Sequence, residues 1–315
     1  MDELGGRVAV VTGAGSGMGK AFALRFAAEG MKVVASDIQD DALAATIALL
    51  EGGGHDVLGV RVDVADPDSV RHLADAAYES YGAVHVLCNN AGVEGYLDGP
   101  IWAATPKDWE WTVGVNFWSV VHGVREFVPR MLASGEQGHV VNTCSMTSVV
   151  SAGNMYAITK HAVLALTEVL AADLAKRGAP IGVTALCPGI IATNLFRGSR
   201  NRPIALREGD SDDAGGGQPD GGQPDGGQPD GGQPDVRDPR AGLELRERMH
   251  ATLAAGMPPA QVAALVVDAI SAGAPYLLTD HNWDDRIVQR HQAILAGAVG
   301  PLAAAPPHEN GAASG

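Results

Sequence analysis

A serine, a tyrosine and a lysine within residues 143–160 have the types and spacing needed for proton transfer at a substrate oxygen. In this segment, TCSMTSVVSAGNMYAITK, the lysine follows the tyrosine by four residues. A helix beginning near Met155 would place Tyr156 and Lys160 one turn apart on one face. The ammonium would favour the phenolate and make it an acid–base group near neutral pH, and Ser145 could hydrogen-bond a substrate oxygen facing the phenol. Alone, this spacing is more typical of a solvated helix face, so the interpretation depends on the preceding sequence.

Composition and charge exclude several classes of partner. The chain has 315 residues, 46% hydrophobic and 19% charged, which is enough for one large domain or two. Its net charge of −15 argues against nucleic acid or an anionic membrane as a partner. We find no apolar run long enough to cross a bilayer, and the acidic start MDELGGRVAVV is unlike a signal peptide. These features predict a cytoplasmic protein.

The three cysteines predict buried thiols rather than a metal site. Cys88, Cys144 and Cys187 each lie in an apolar run that resembles a strand, and their spacing is not that of metal ligands. Reduced thiols of this kind are typical of cytoplasmic proteins. The sequence therefore predicts no bound metal.

A glycine-rich turn joins the first predicted strand to the first predicted helix. The apolar strand RVAVVT at 7–12 is followed by GAGSGMG at 13–19 and by a helical pattern at 20–29. Glycines let the backbone approach a pyrophosphate closely, and a helix N-terminus offers free N–H groups and a partial positive charge. This order predicts a phosphate-binding loop for a dinucleotide.

The second predicted strand, at 32–37, ends in an acid placed to bind a ribose. A carboxylate at Asp37 would accept hydrogen bonds from the adenosine ribose hydroxyls and repel a 2′-phosphate. Residues 38–41 contain no base, and none directly precedes Gly17. Both absences favour NAD over NADP.

Helix and strand patterns then alternate along the chain. Helices are predicted at 42–51, 67–81, 106–132 and 156–176, and strands at 57–62, 84–88, 139–143 and 181–187. A last strand at 274–279 and a helix at 284–295 follow. Repeated β-α units predict an α/β fold with a single Rossmann-type, doubly wound parallel sheet and helices on both faces. We expect one domain over 1–300 and a disordered tail at 301–315.

Three polar features interrupt these apolar elements. Asp63 and Val64 follow a strand and could meet an adenine edge, and NNAG at 89–92 forms a polar turn that is structural even if a cofactor lies nearby. Asn116 lies in an apolar helical stretch and needs hydrogen-bonding partners there. By itself, such an asparagine is more typical of a satisfied core residue.

Together these motifs resemble the short-chain dehydrogenase/reductase (SDR) family. The chain has TGxxxGxG at 12–19, Asp63, NNAG at 89–92, Asn116, Ser145, YxxxK at 156–160, and Pro188-Gly189 followed by Thr193. The resemblance covers roughly residues 5–197 and a C-terminal strand and helix. Because so many family motifs occur in the family's order along one chain, a chance resemblance is negligible.

The resemblance implies a role for each catalytic position. Tyr156 would be the general acid/base, and Lys160 would lower the pKa of the phenol and hold the nicotinamide ribose. Ser145 would orient the substrate oxygen, and Asn116 would hold a water linking Lys160 to solvent. The protein would thus supply orientation and proton handling, and the cofactor the hydride chemistry.

The resemblance also implies a set of cofactor contacts. Asp37 would bind the adenosine ribose, Asp63 and Val64 the adenine, and Ile191 and Thr193 the nicotinamide carboxamide. The full predicted set is Gly13, Ser16, Gly17, Met18, Gly19, Asp37, Ile38, Asp63, Val64, Asn90, Ala91, Gly92, Tyr156, Lys160, Pro188, Gly189, Ile191 and Thr193.

Two departures from the family pattern stand out. Ser145 precedes Tyr156 by eleven residues, a shorter interval than usual, so Thr143 and Ser148 remain alternatives to it. The variable substrate loop at 194–250 contains GGQPD four times in succession, within a stretch at 208–238 that holds nine acids and one base. Such composition predicts a passive, disordered insertion rather than an acidic lid or a calcium-binding repeat. The ends of the loop, at 195–196 and 243–253, are instead expected to close over substrate.

The residues flanking the expected substrate site are mostly apolar or aromatic, apart from Glu94. They are Glu94, Tyr96, Leu97, Trp102, Met146, Val149, Met155 and Phe196. We therefore predict an NAD-dependent oxidoreductase for a bulky, hydrophobic secondary alcohol or ketone. The alternatives are an NADPH-dependent ketoreductase and a non-catalytic nucleotide-binding regulatory protein. The resemblance further implies a homotetramer or homodimer, with Trp109, Trp111 and Trp118 as packing or interface residues.

Overall fold

The computed structural model describes residues 1, 3–150, 153–207 and 237–298. Its strands are β1 (Val8–Thr12), β2 (Lys32–Asp37), β3 (Val57–Arg61), β4 (Val86–Asn89), β5 (Gly138–Thr143), β6 (Ile181–Cys187) and β7 (Tyr276–Leu278). They form one sheet in the order β3-β2-β1-β4-β5-β6-β7, and every neighbouring pair is parallel. The predicted doubly wound parallel sheet is confirmed.

Helices cover both faces of this sheet. They are α1 (Gly17–Ala28), α2 (Asp40–Gly52), α3 (Pro67–Tyr81), α4 (Pro106–Val113), α5 (Ser119–Ser134), α6 (Met155–Lys176), α7 (Pro239–Ala254), α8 (Pro259–Ala272) and α9 (Asp284–Leu295). Successive strand residues point to opposite faces. Val11 therefore packs with Phe22 in one core, whereas Val10 packs with Phe127 in the other.

The strand order reverses between β1 and β4, which are neighbours in the sheet although two β-α units separate them along the chain. At such a switch point the loops leave the carboxyl ends of the two strands in opposite directions and open a crevice. Thr12 ties the two strand ends together, because its Oγ1 accepts hydrogen bonds from the amides of Asn90 (2.9 Å) and Ala91 (3.1 Å). The glycine-rich turn and the NNAG turn therefore meet at one edge of the sheet.

The single helix predicted at 106–132 is divided by a π-helical turn. Thr105 and Asp108 form a capping box that begins α4, and the π turn Gly114–Trp118 connects α4 to α5. π turns are uncommon and occur frequently at functional sites. Asn116, the polar residue noted in the sequence, lies inside this turn and is fully buried.

The polypeptide around the predicted insertion is only partly described. Two short 3-10 turns, Leu195–Asn201 and Ile204–Leu206, precede it, and α7 follows it. Of the predicted insertion at 208–238, Arg237 and Asp238 are described, and Asp238 caps α7 through the amide of Ala241. The rest of the insertion and the predicted tail at 301–315 lie outside the described residues.

One of the described helices, α6, has the length and composition to cross a membrane, with 22 residues and a mean hydropathy of 1.2. The sequence analysis found no such run. Helices that cover a sheet have a similar composition, and α6 packs on β6 with the charged Lys160 among its buried residues. The three cysteines are free and buried, as predicted.

Candidate active site

The first turn of α6 positions the tyrosine and the lysine. Asn154 caps this helix, since its side chain accepts a hydrogen bond of 2.8 Å from the amide of Ala157. Tyr156 therefore lies in the first turn and Lys160 one turn later. The Lys160 Nζ atom is 5.6 Å from the centroid of the Tyr156 ring. The two side chains are together on one helix face, as the spacing predicts.

Ser145 is the hydroxyl residue beside the phenol. Its side chain acts to lower the pKa of Tyr156, and its Oγ accepts from the amide of Thr147 at 3.1 Å. The two alternatives are engaged elsewhere: Ser148 Oγ donates to the Lys160 carbonyl at 2.8 Å, and Thr143 Oγ1 donates to Asn90 Oδ1 at 3.4 Å. The geometry favours Ser145 among the three.

Burial dominates the protonation of both groups. It raises the pKa of Tyr156 to about 12, and the hydrogen bond from Ser145 acts in the opposite direction. Burial also lowers the pKa of Lys160 to about 8, partly offset by the neighbouring thiols of Cys144 and Cys187. Lys160 Nζ donates to the Thr143 carbonyl at 2.7 Å. The phenol is therefore protonated at neutral pH, and its activation by Lys160 stays a prediction.

Asn116 uses its side chain to join the NNAG turn to α6. Its Oδ1 accepts from the Val93 amide at 2.8 Å, and its Nδ2 donates to the Val93 carbonyl at 2.9 Å and to Thr159 Oγ1 at 3.1 Å. A Cβ atom on Gly92 would lie 3.3 Å from Asn116 Oδ1 and 3.6 Å from Lys160 Nζ. Asn116 thus lies near Lys160, but its side-chain amide already makes three hydrogen bonds to Val93 and Thr159. The predicted water between them stays a prediction.

The glycine-rich turn has no room for a side chain at Gly19 and little at Gly13. A Cβ atom on Gly19 would lie 2.1 Å from the Gly13 carbonyl oxygen, and Gly13 itself has a φ of 70°. The turn leads directly into the N-terminus of α1 at Gly17, where N–H groups are free. These features match a cradle for the pyrophosphate of a dinucleotide.

Asp37 lies at the carboxyl end of β2, beside this turn. Its Oδ2 accepts from the Gly15 amide and its Oδ1 from the Gln39 amide, both at 2.9 Å. Each carboxylate oxygen has a further lone pair, so the group can still accept hydrogen bonds from ribose hydroxyls. The two backbone hydrogen bonds fix the orientation of the carboxylate.

A cleft of about 470 Å³ brings most of the predicted cofactor residues together. It is lined by Gly13, Ser16, Gly17, Met18, Asp37, Ile38, Asp63, Val64, Asn90, Ala91, Gly92, Tyr156, Lys160 and Thr193. Gly19, Asn116, Ser145, Pro188, Gly189 and Ile191 are not among the residues that line the cleft. Gly189 donates to Thr279 Oγ1 at 3.0 Å, and Ile191 is buried in a core. Contacts of the last three residues with nicotinamide stay predictions.

The cleft has two apolar walls, of which sequence reasoning anticipated only Leu195 at the start of the substrate loop. One wall comes from α4 and the π turn, and the other from residues 195–206; they include Trp111, Val113, Val115, Trp118, Leu195, Pro203 and Leu206. The residues expected to flank the substrate lie outside this lining, and Trp102 is 80% exposed. Trp111, Val115 and Trp118 recur at intervals of four and three residues, a helical periodicity that could have indicated the first wall.

Arg200 is a further cleft residue without a signal in the sequence. Its Nη2 donates to Gln39 Oε1 at 3.0 Å, which links the 195–206 segment to the end of β2. Both residues line the cleft beside Asp37. The contact therefore brings a cation to the end where the adenosine ribose is expected.

Comparisons with known proteins agree with this geometry. Residues 7–203 match the family described as short chain dehydrogenase. The 1-deoxy-11-beta-hydroxypentalenate dehydrogenase of Streptomyces avermitilis is 45% identical over 192 residues, covering 60% of this chain and 70% of that protein. The 3beta-hydroxysteroid dehydrogenase 2 of Eggerthella lenta is 36% identical over 199 residues, covering 62% and 75%. A short-chain dehydrogenase/reductase from Burkholderia phymatum, crystallised in complex with NAD, is 38% identical with a TM-score of 0.83, covering 96% of this chain and all (100%) of that one.

Proposed function

Because the chain belongs to the short-chain dehydrogenase/reductase family, whose members matched above are oxidoreductases acting on CH–OH groups, we propose a specific reaction for it. It is an NAD-dependent enzyme that interconverts a bulky, hydrophobic secondary alcohol and the corresponding ketone. The observation that carries the proposal is one cleft that contains Tyr156 and Lys160 together with the ribose-binding candidate Asp37.

The residues present fit a dinucleotide. The turn at 13–19 would hold the pyrophosphate, Asp37 the adenosine ribose, Asp63 and Val64 the adenine, and Lys160 the nicotinamide ribose. The close approach of Gly19 to the Gly13 carbonyl is the kind of cradle that such a ligand requires. When bound, the nicotinamide ring accepts or supplies the hydride.

The side chains of this protein handle the proton. In oxidation, Tyr156 takes the proton of the substrate hydroxyl while Ser145 holds the same oxygen by a hydrogen bond. In reduction, the phenol of Tyr156 donates its proton to the ketone oxygen as the C–H bond forms. The Lys160 ammonium stabilises the phenolate left behind, and burial strengthens that interaction.

The walls of the cleft support a bulky, hydrophobic substrate. Trp111, Leu195, Pro203 and Leu206 present apolar groups on its two sides. Two relatives are named for a hydroxysteroid and for a hydroxypentalenate. The test is NADH formation across hydroxysteroids, aryl carbinols and short or charged alcohols. Turnover confined to the short or charged alcohols would contradict the substrate class.

An NADPH-dependent ketoreductase is the second candidate, and Arg200 is the observation that favours it. Its guanidinium lines the cleft beside Asp37 and Gln39, where a cation could meet a 2′-phosphate. Asp37 opposes that interaction by its charge. Comparing kcat/KM for NAD and NADP decides between the two, and preference for NADP would overturn the primary proposal.

The remaining candidate is a non-catalytic nucleotide-binding regulatory protein. The placement of Ser145 beside the Tyr156 phenol, with Lys160 one turn away, argues against it, because binding alone does not need that arrangement. NAD binding without turnover across the whole substrate panel would favour this alternative.

We further propose a cytoplasmic homotetramer or homodimer. Apolar side chains are exposed on the π turn and α6: Trp118 and Ile158 are each 47% exposed, and Val169 is 62% exposed. Such groups are typical of an interface. Light scattering of the purified protein tests this, and a monomer at micromolar concentration would contradict it.

A further inference from the structure

Three carboxylates between positions 94 and 108 meet three arginines from the polypeptide on either side of the insertion. We call this set the acid–arginine cluster: Glu94, Asp98, Asp108, Arg202, Arg237 and Arg246. Their side chains are at most 18% exposed. We call residues 195–206 the lid, because Leu195, Arg200, Pro203 and Leu206 form one wall of the cleft.

Asp108 joins the two ends of the insertion to α4. Arg202 Nη1 donates to Asp108 Oδ1 at 2.7 Å, and Arg237 Nη2 donates to Oδ2 at 3.3 Å. The same Oδ2 accepts from the Thr105 amide at 2.9 Å, so the capping box fixes the carboxylate on α4. The Arg202 guanidinium also lies 5.3 Å from the Trp111 ring centroid, on the opposite wall of the cleft.

Asp98 holds α7 in the same way. Arg246 Nη1 donates to Asp98 Oδ1 at 2.6 Å, and Arg237 Nη2 lies 3.8 Å from Oδ2. The Asp238 amide donates to the Asp98 carbonyl at 2.7 Å. The Cβ atom of any larger residue at Gly242 would lie 2.0 Å from Asp98 Oδ1, so α7 approaches this carboxylate closely.

Glu94 contacts the backbone of the lid directly. Its Oε1 accepts from the Ser199 amide at 3.1 Å and lies 3.8 Å from Arg246 Nε. A Cβ atom on Gly198 would lie 2.4 Å from Oε2. Burial raises the pKa of Glu94, while the lid amides and Arg246 act in the opposite direction. The lid is therefore seated on a carboxyl group that is shielded from water.

A further hydrogen bond joins the lid to the protein body, from Arg200 Nη2 to Gln39 Oε1 at 3.0 Å, and it is exposed. Gly198 is the one fully buried residue of the lid, and Ile204 is 67% exposed. Exposed contacts contribute little to stability, whereas removing one partner of a buried ion pair costs several-fold more. The acid–arginine cluster is thus the buried polar attachment of this wall of the cleft.

We propose that Glu94, Asp98 and Asp108 are positioning residues that hold the lid over the cleft and thereby set the affinity for substrate. The link to substrate rests on the proposed function. None of the three carboxylates is required for proton transfer, which belongs to Tyr156. Loosening the cluster therefore raises KM and leaves kcat nearly unchanged.

The test compares Arg202→Met with Arg197→Met. Methionine keeps the apolar stem and removes the charge, and Arg197 is an exposed lid residue outside both the cluster and the cleft lining. Hydrogen exchange of the lid amides is measured without substrate, and steady-state kinetics separately. Arg202→Met should raise lid exchange and KM about tenfold each, since a hydrogen bond to a charged group contributes about 1.5–3 kcal/mol. Its kcat should stay within about twofold, and Arg197→Met should match the wild type.

A second variant distinguishes loss of the lid attachment from a general loss of structure. Asp98→Asn lies outside the capping box of α4, and it should raise lid exchange without changing exchange in β5. Unchanged lid exchange in both Arg202→Met and Asp98→Asn would overturn the attachment, whether or not the protein turns over any alcohol. Raised exchange with an unchanged KM would overturn the role in substrate affinity. Raised exchange in a protein without turnover would support the attachment and contradict the proposed function.

Discussion

Tyr156 has a phenol whose pKa burial raises to about 12, and this value determines the sign of the pH dependence. Oxidation of an alcohol needs the phenolate as base, so kcat/KM should rise with pH, up to tenfold per unit below the pKa. Reduction needs the phenol as acid and the Lys160 ammonium beside it, so its rate should stay flat up to about pH 8 and fall as Lys160, whose pKa burial lowers to about 8, loses its proton. Initial rates in both directions between about pH 6 and about pH 9 test this expectation. A flat profile for oxidation would contradict the role of Tyr156 as base.

Asp37 and Arg200 should act in opposite directions on cofactor preference. Asp37→Asn removes the charge that repels a 2′-phosphate but retains an acceptor for the backbone amides, so the preference for NAD should shrink about tenfold. Arg200→Gln should increase it, because the cation beside Gln39 is lost. The measurement is kcat/KM with NAD and with NADP for each variant. An unchanged ratio in Asp37→Asn would mean that another residue determines the preference.

For single residues, the sequence identifies those whose proposed role depends on the spacing of neighbours along the chain. Tyr156 and Lys160 are four residues apart in one helix, and Asp37 ends a strand beside a glycine turn. Arg200 could not be predicted, since it meets Gln39 across 161 positions of the chain through a loop of no regular pattern. The bonds of Asn116 to Val93 likewise depend on a tertiary contact.

His139 makes the stability of β5 sensitive to pH. Burial lowers its pKa from the ordinary 6.5 to about 4, and the ring bonds Thr184 Oγ1 on β6 at 2.7 Å. Between these two values the unfolded chain binds a proton that the folded chain excludes, so stability falls as pH falls from 6.5 to about 4. The loss approaches about 3 kcal/mol.

Urea unfolding at about pH 7 and about pH 4.5 measures this dependence. His139→Gln removes the titrating group while it keeps a side chain that can hydrogen-bond Thr184. The variant should lose less stability on acidification than the wild type does. Equal losses of stability in the wild type and in His139→Gln would contradict the assignment of the pH dependence to His139.

The sequence predicts helices and strands best where a periodic pattern coincides with capping or turn residues at the ends of the element. The predicted bounds of α3, β6 and α9 agree with the structure, and α3 has both a capping Asp66 and a left-handed Gly82 at its end. Helices α7 and α8 have no predicted counterpart, because α7 begins within the predicted substrate loop at 194–250 and α8 follows α7 after only four residues. The π turn was also missed, since one extra residue per turn leaves no clear mark in the sequence.

At the scale of the whole molecule, the prediction to be tested is that the insertion at 208–238 is passive. Arg202 before it and Arg237 at its carboxyl end both bond Asp108, so the protein body holds the two ends of the insertion near each other. Deleting residues 216–235 changes the closure entropy of a flexible loop by about 1 kcal/mol. We therefore expect kcat and KM within about fivefold of the wild type, measured by steady-state kinetics. A large rise in KM would instead support an acidic lid.

The central claim for the molecule is that Tyr156 transfers the proton in an NAD-dependent oxidation. The most direct measurement is absorbance of NADH formed from NAD and a bulky secondary alcohol, with wild type and Tyr156→Phe compared under one condition. We predict turnover by the wild type, a loss of at least about 100-fold in the variant, and nearly equal NAD affinity in both. Turnover retained by Tyr156→Phe would contradict the account.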